Sequence, residues 1–410
     1  MTQDIRDFVA PSCELLALGE PTHRATSFAR ARNTLFARLV GLGFRSIALE
    51  TDRVTAFAVD DFVRDGVGTL DAVMDEGFTH GFGALEANRR LVAWMRAYNE
   101  DRPAPERLTF HGFDIPTEMT GAPSPRPHLA RARAYLGLGH GQRNLDPHAS
   151  DPHAPDPSGL APDALDLDHL AGHDERWSAP ETAPEAAAPV GAGAEARELR
   201  TFADDLLLAL HARAPELIAS TSRAAWFRAE AHLTTGIGLL RYHRTSALPG
   251  GGNARFTRQL AARDALMAQN LLAIRTIEAG RGQTLVFSHN LHLQRNPSRW
   301  HLPTGDLVWS GAGAIVGSLL GERYAYVAGS LGLSEELGLP EPQSDTYEGL
   351  LQSRVDSWGL APTSALGAAH TRTDTLPEQG YSPLDRATVD ASDAVLHIGA
   401  DTPRLAFPFP

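Results

Sequence analysis

Four apolar runs, each ending in residues able to do chemistry, constrain this 410-residue chain more than any other feature. In "LLALGEPTHRA" (residues 15–25) the run from Glu14 to Leu18 reads as a short buried strand. Gly19 reads as its breaker, which leaves Glu20 and His23 in the turn into a helix. "RSIALETD" ends at Glu50, Thr51 and Asp52, "RLTFHGFD" at His111 and Asp114, and "QTLVFSHNLH" at His289, Asn290 and His292. Helical patterns lie between them. Phe28, Leu35, Phe36, Leu39 and Val40 share one helical face, as do Leu91, Trp94, Met95 and Tyr98. Strand and helix in alternation predict an α/β fold, a largely parallel central sheet flanked by helices. Its carboxyl edge, where open sheets of this kind bind ligands, would gather Glu20, His23, Glu50, Asp114, His289 and His292 into one crevice.

The pattern divides the chain into four parts. Residues 1–138 form the first part of the α/β core. Residues 139–198, rich in Pro, Ala and Asp, read as a loop or insertion with little regular structure. Its repeated "DPH" has no spacing that would order a metal site, and it is given no role. Residues 199–280 carry long amphipathic patterns and read as an inserted helical subdomain able to roof a pocket. Residues 281–410 supply the remainder of the core, with "RYAYVAGSLG" and "DAVLHIGA" as further strands, and the tail.

A net charge of -13, with no Lys/Arg cluster to offset it, would repel phosphate backbones and excludes nucleic acid as a natural partner. The single cysteine, Cys13, permits no intramolecular disulfide or thiolate cluster, and its strand position predicts an inert buried thiol. The opening "MTQDIRDFVA" lacks the basic and apolar regions of a signal peptide, and no apolar run approaches membrane-spanning length. The expectation is a cytoplasmic protein whose partner is a small-molecule substrate, with no nucleic acid and no membrane.

The chemistry follows by asking which nucleophile is present. A serine hydrolase places its nucleophile on a G-x-S-x-G turn, and the nearest match, "AGSLG" at residues 328–332, has the wrong spacing. What remains is histidine with carboxylates, in which an imidazole takes a proton from water and a carboxylate fixes its tautomer. Taken alone, "GEPTH" reads as a helix start capped by Thr22, and "HNLH" as a covered strand end. Four such stretches at one predicted edge favour a site. Arg32 falls on the apolar face of its helix, where a cation requires a partner, and Glu20 or Glu50 is the natural one.

In order along the chain, "LGEPTHRATSFARAR", "GFRSIALE", "LVAWMRAYN", "FHGFD", "RDALMAQN" and "SHNLHLQR" resemble the erythromycin esterase family. The resemblance implies an α/β core with a helical part, and hydrolysis of a lactone or other ester in a macrolide-like substrate without metal or cofactor. It implies that His23 is the base and that Glu20, Glu50, Arg32 and His289 belong to the catalytic set. His292, His80, Asp114 and Arg24 would face substrate. Ser27 stands where family members commonly carry an acid, Arg24 where a small or apolar residue is usual, and His80 where resistance enzymes tend to have aromatics. These departures bear on substrate, so macrolide opening and antibiotic resistance follow less directly than hydrolysis. Three rivals stand beside this reading. One is a natural-product biosynthetic tailoring enzyme using the same site, another is a hydrolase with Zn²⁺ or Mn²⁺ on these ligands, and the third is a binder that has lost turnover.

Overall fold

The computed structural model describes residues 2, 4–117, 121–137, 167–178, 189–367, 369–402, 407 and 409. The four apolar runs are strands β1 (Leu15–Glu20), β2 (Ser46–Asp52), β3 (Thr109–Asp114) and β4 (Thr284–His289). A two-stranded antiparallel hairpin follows, β5 (Ser298–Leu302) with β6 (Gly305–Trp309). Strands β7 (Tyr324–Leu333), β8 (Trp358–Pro362) and β9 (Ala394–Ala400) complete a seven-stranded sheet in the order β3-β2-β4-β1-β7-β9-β8. All pairs are parallel except the edge pair β8–β9. The strands of the four chemical runs are therefore consecutive in the sheet, so their carboxyl ends lie side by side.

Burial on both faces explains why the strands read as continuous apolar runs. Leu16 and Leu18 enter a core layer with Phe28, Leu35, Phe36 and Leu39 of the helix Thr26–Val40. Leu15 and Ala17, pointing the other way, enter a second layer with Met267 and Leu271 of the helix Gly252–Glu278. Each fully buried Leu or Phe contributes about 1.5–3 kcal/mol, and Phe36→Ala would cost about 3–5 kcal/mol. Cys13 is buried as expected, and burial pushes its thiol up to about 11.

The chain divides into two compact units. One comprises Met1–Asp114 and Asp264–Pro410 and contains the sheet; the other is Ile115–Arg263. In the second unit the helices Ala194–Ala212 and Arg223–Ser246 enclose Leu199, Phe202, Leu206, Trp226, Leu233 and Ile237. Of the sequence segment 139–198, residues 139–166 and 179–188 lie outside the described residues. The part described holds the short helices Leu167–Ala171 and Glu175–Ser178, with Trp177 buried.

Two local readings are corrected. Gly19 does not break β1, which continues to Glu20. Its lack of a side chain instead admits Asn290, whose Oδ1 would stand 2.1 Å from an added Cβ. Asn290 is held there by the Gly329 backbone, accepting its N–H and donating to its carbonyl, both at 2.9 Å. Thr22 is also not the cap of the first long helix. That position belongs to Ala25, and the Thr22 hydroxyl accepts the Arg24 N–H instead.

Candidate active site

Glu20 is the last residue of β1, and Pro21 turns the chain so that His23 folds back over the strand end. His23 Nδ1 lies 2.8 Å from Glu20 Oε1, and its side chain is 36% exposed. The carboxylate fixes the proton on Nδ1 and turns Nε2 away from it. Nε2 faces Glu50 Oε2 at 3.7 Å. Burial, the largest influence, raises the Glu20 carboxyl above its ordinary range against the opposing His23 hydrogen bond.

Glu50 owes its position to an irregularity. The β2–β3 register shifts between Leu49 and Asp52, and β2 pairs with β4 only as far as Leu49 and Phe287. Beyond that point Glu50 turns toward β4, where Oε2 accepts the Ser288 hydroxyl and the His289 N–H. Its other oxygen, Oε1, lies 3.5 Å from His292 Nε2.

A cavity opens here, lined by Glu20, His23, Glu50 and Arg32 together with apolar side chains such as Phe82 and Phe287. The loop carrying Phe78 to Phe82 is tied to the end of β2 by reciprocal bonds between Thr51 and Thr79. Arg32 is 1% exposed and is held differently from the sequence reading. Its Nε and Nη2 donate to Asn33 Oδ1, Nη2 also donates to Asn88 Oδ1, and its guanidinium lies over the Phe287 ring. Among the described residues no carboxylate forms an ion pair with it. Burial pulls its pKa down to about 9, and the charge of Glu20 acts in the opposite sense.

His289 also differs from expectation. Its Nδ1 accepts the Leu291 N–H at 3.2 Å and its Nε2 meets the Pro21 carbonyl at 3.1 Å, so both nitrogens are engaged by backbone. Burial, then the neighbouring His23 and His292, depress its pKa to about 3. It is a neutral ring packed 5.2 Å from the His23 ring, with neither nitrogen turned to the cavity. His292 sits in the short helix Asn290–Leu293, with Nδ1 2.8 Å from Asp264 Oδ1.

His80 and Asp114 form a second pair, Nε2 to Oδ2 at 2.9 Å, across the Phe82 ring from His23. Among the described residues His80 is the one non-glycine with positive φ, at 58°. Beside Asp114, burial raises the Asp52 carboxyl to about 6. Arg24 is not brought to the cavity, because its Nη1 donates to the Glu378 and Gln379 carbonyls. Asp401 comes to the start of the first long helix, where its Oδ1 accepts the Ser27 N–H at 3.2 Å.

Sequence reasoning missed Ser288, Asn88 and Asp264. For Asp264 a signal existed, since it shares a buried helical stripe with Met267, Ala268 and Leu271. Among the described residues no group of three or more His, Cys, Asp or Glu side chains is arranged to hold a metal ion. Nor is any helix long and apolar enough to cross a membrane.

The family model described as erythromycin esterase matches residues 41–400. No curated protein matches the sequence at a significant level. Among solved structures, a Bacillus cereus protein is similar with a TM-score of 0.66 at 15% identity, covering 97% of this chain and 90% of that one. A mutant of the erythromycin esterase EreC in its open conformation has a TM-score of 0.61 at 18% identity, covering 97% and 94%. A succinoglycan biosynthesis protein has a TM-score of 0.61 at 14% identity, covering 97% and 90%.

Proposed function

The chain belongs to the erythromycin esterase family, and from that premise we propose that it hydrolyses an ester or lactone of a macrolide-like or other natural-product small molecule, with His23 activating water. The observation that carries the reading is the His23–Glu20 contact at the mouth of the cavity. With its Nδ1 proton held by Glu20, His23 keeps an Nε2 lone pair on the side of Glu50 and the cavity. Water polarised by Nε2 attacks the carbonyl, and the imidazolium that forms lies between two carboxylates. The same proton then passes to the leaving alcohol. Arg32, set over Phe287 and held by two asparagines, supplies the positive charge near the developing oxyanion. His289 packs beside His23 and keeps its ring in place, and His80 with Asp114 forms a polar wall for the substrate beyond Phe82.

The same constellation serves a second reading, a tailoring step in biosynthesis, for which the similar fold of a protein described as acting in succinoglycan biosynthesis is the supporting observation. The two separate in one experiment. Purified protein is offered a panel of aryl esters and macrolide lactones in water enriched in heavy oxygen, with and without a chelator. We expect release of acid and alcohol, one heavy oxygen in the acid, and the same rate under chelation. Failure to hydrolyse any member of the panel would sink the hydrolytic reading.

A further inference from the structure

We infer that Asp264 is a positioning residue that holds His292 as an imidazolium and thereby sets the charge presented to His23 through Glu50. The inference rests on the function proposed above and deepens it. Contacts run unbroken through five side chains that alternate acid and imidazole: Glu20 to His23 at 2.8 Å, His23 to Glu50 at 3.7 Å, Glu50 to His292 at 3.5 Å, and His292 to Asp264 at 2.8 Å. The members come from β1, the turn after it, β2, the short helix Asn290–Leu293 after β4, and the helix Gly252–Glu278.

Asp264 is fully buried: its Oδ2 accepts the Trp309 indole N–H at 2.7 Å, its Oδ1 accepts the Ala312 backbone N–H at 2.9 Å, and His292 Nδ1 lies 2.8 Å from Oδ1. With an N–H donor already on each oxygen, Asp264 has the pattern of a carboxylate, which has no proton of its own to give. His292 therefore carries its Nδ1 proton toward Asp264 and turns Nε2 to Glu50. Glu50 is itself an acceptor, since Ser288 Oγ and the His289 N–H both donate to it. At 9% exposure the His292 ring, lying between two carboxylates, is stabilised with a proton on each nitrogen, whereas at 36% exposure water screens the pull of Glu20 and Glu50 on His23. The neighbouring titratable groups do not supply this charge. His289 is neutral, Glu20 is linked to His292 through His23 and Glu50, and burial holds the phenols of Tyr324 and Tyr326 on β7 above their ordinary range.

The consequence is electrostatic. Before reaction, the carboxylates of Glu20, Glu50 and Asp264 and the charges of the His292 imidazolium and the buried Arg32 guanidinium leave one excess negative charge around a neutral His23. Proton uptake by His23 neutralises the group, and that favours the step a general base must perform. Without the His292 charge Glu50, at 5% exposure, would lose the cation that lies 3.5 Å from its Oε1, and its ionised form would be disfavoured.

Asp264→Asn tests this with two readouts. The first is nitrogen NMR of the His292 ring, which needs no substrate. We expect the parent ring to be doubly protonated at neutral pH and the variant ring to titrate at least about one pH unit lower. The second is the pH profile of kcat on any ester found to turn over. We expect a fall of about 10- to 100-fold at the optimum, in line with partners that orient a working imidazole. KM should hold within about threefold, with the alkaline limb displaced to lower pH. Trp309→Phe is a second variant that keeps the carboxylate but removes one competing donor, and it should move the His292 titration the other way. A neutral His292 in the parent, or titrations unmoved in both variants, would overturn the inference. If the parent hydrolyses no ester, the proposed function falls, while the ring titration still decides the role of Asp264.

Discussion

Two histidines at the same sheet show how similar local pairings lead to different ends. His23 stands at the end of β1, partly exposed, with carboxylates facing its nitrogens. His397 lies inside β9, register partner of Ser330 on β7, and is completely buried. Its Nδ1 meets the Ser330 hydroxyl at 2.9 Å and its Nε2 the Gln352 amide oxygen at 2.9 Å. A serine beside a histidine has the outline of a nucleophile and its base. This one is the serine of "AGSLG", sealed between strands, and burial pulls the imidazole down to about 3. An imidazole becomes a usable base through a carboxylate partner and access to substrate, and contact with a hydroxyl supplies neither. His289 lies between the cases. It is next to His23, yet backbone groups engage both nitrogens.

The largest expected effect breaks the comparison at the His23 end. His23→Ala should lower kcat by about a hundredfold to ten-thousandfold, the usual contribution of a positioned general base. Circular dichroism should be unchanged, because a partly exposed turn residue leaves little cavity when truncated. A folded variant turning over at the parent rate would remove His23 from the mechanism.

Acid stability probes four rings, His397 fully buried and His289, His128 and His232 half-buried. His289 and His397 fall from 6.5 to about 3, and His128 and His232 of the helical unit from 6.5 to about 4, with burial the leading cause in each. The folded state resists protonation while the unfolded chain accepts it. The stability associated with these groups is therefore complete above pH 6.5 and is lost as pH falls toward their folded values. Within that window each histidine should cost roughly 1.4 kcal/mol per pH unit. Denaturant titrations at successive pH values measure it, and stability flat down to about pH 4 would contradict the burial argument.

The smallest effect on rate is expected at the sealed pair. Ser330→Ala should destabilise the fold by about 1–3 kcal/mol, since it leaves a buried imidazole nitrogen without its partner. The rate at saturating substrate should stay within about threefold. A loss of rate comparable with that of His23→Ala, at unchanged stability, would make the Ser330–His397 pair a participant and void the contrast.

Much of the frame was legible because it depends on periodicity and on where apolar runs stop. The runs of β1 to β4 are buried on both faces, so they stand out as continuous apolar segments, and their polar ends mark the carboxyl edge. The hairpin of β5 and β6 escaped because most of its residues are exposed and its pattern is weak. The edge strand β8 escaped because Trp358–Pro362 offers only five residues.

The sequence by itself determined the α/β class, the parallel direction of the chemistry-bearing runs and the presence of Glu20 and His23 at one strand end. Periodicity and three-residue spacing are local properties, and physics acts on them without reference to distant chain. Only the tertiary structure decided the partners. Glu50 meets a serine 238 positions away, and Arg32 is held by Asn88 where a carboxylate was expected. Arg24 is drawn off to the 378–379 carbonyls, Asp401 arrives at Ser27, and Asp264 reaches His292 from another helix. Each of these is a choice among many polar groups of similar chemistry. It is settled by which ones the packed core brings within hydrogen-bond reach, and that distance has no signature along the chain.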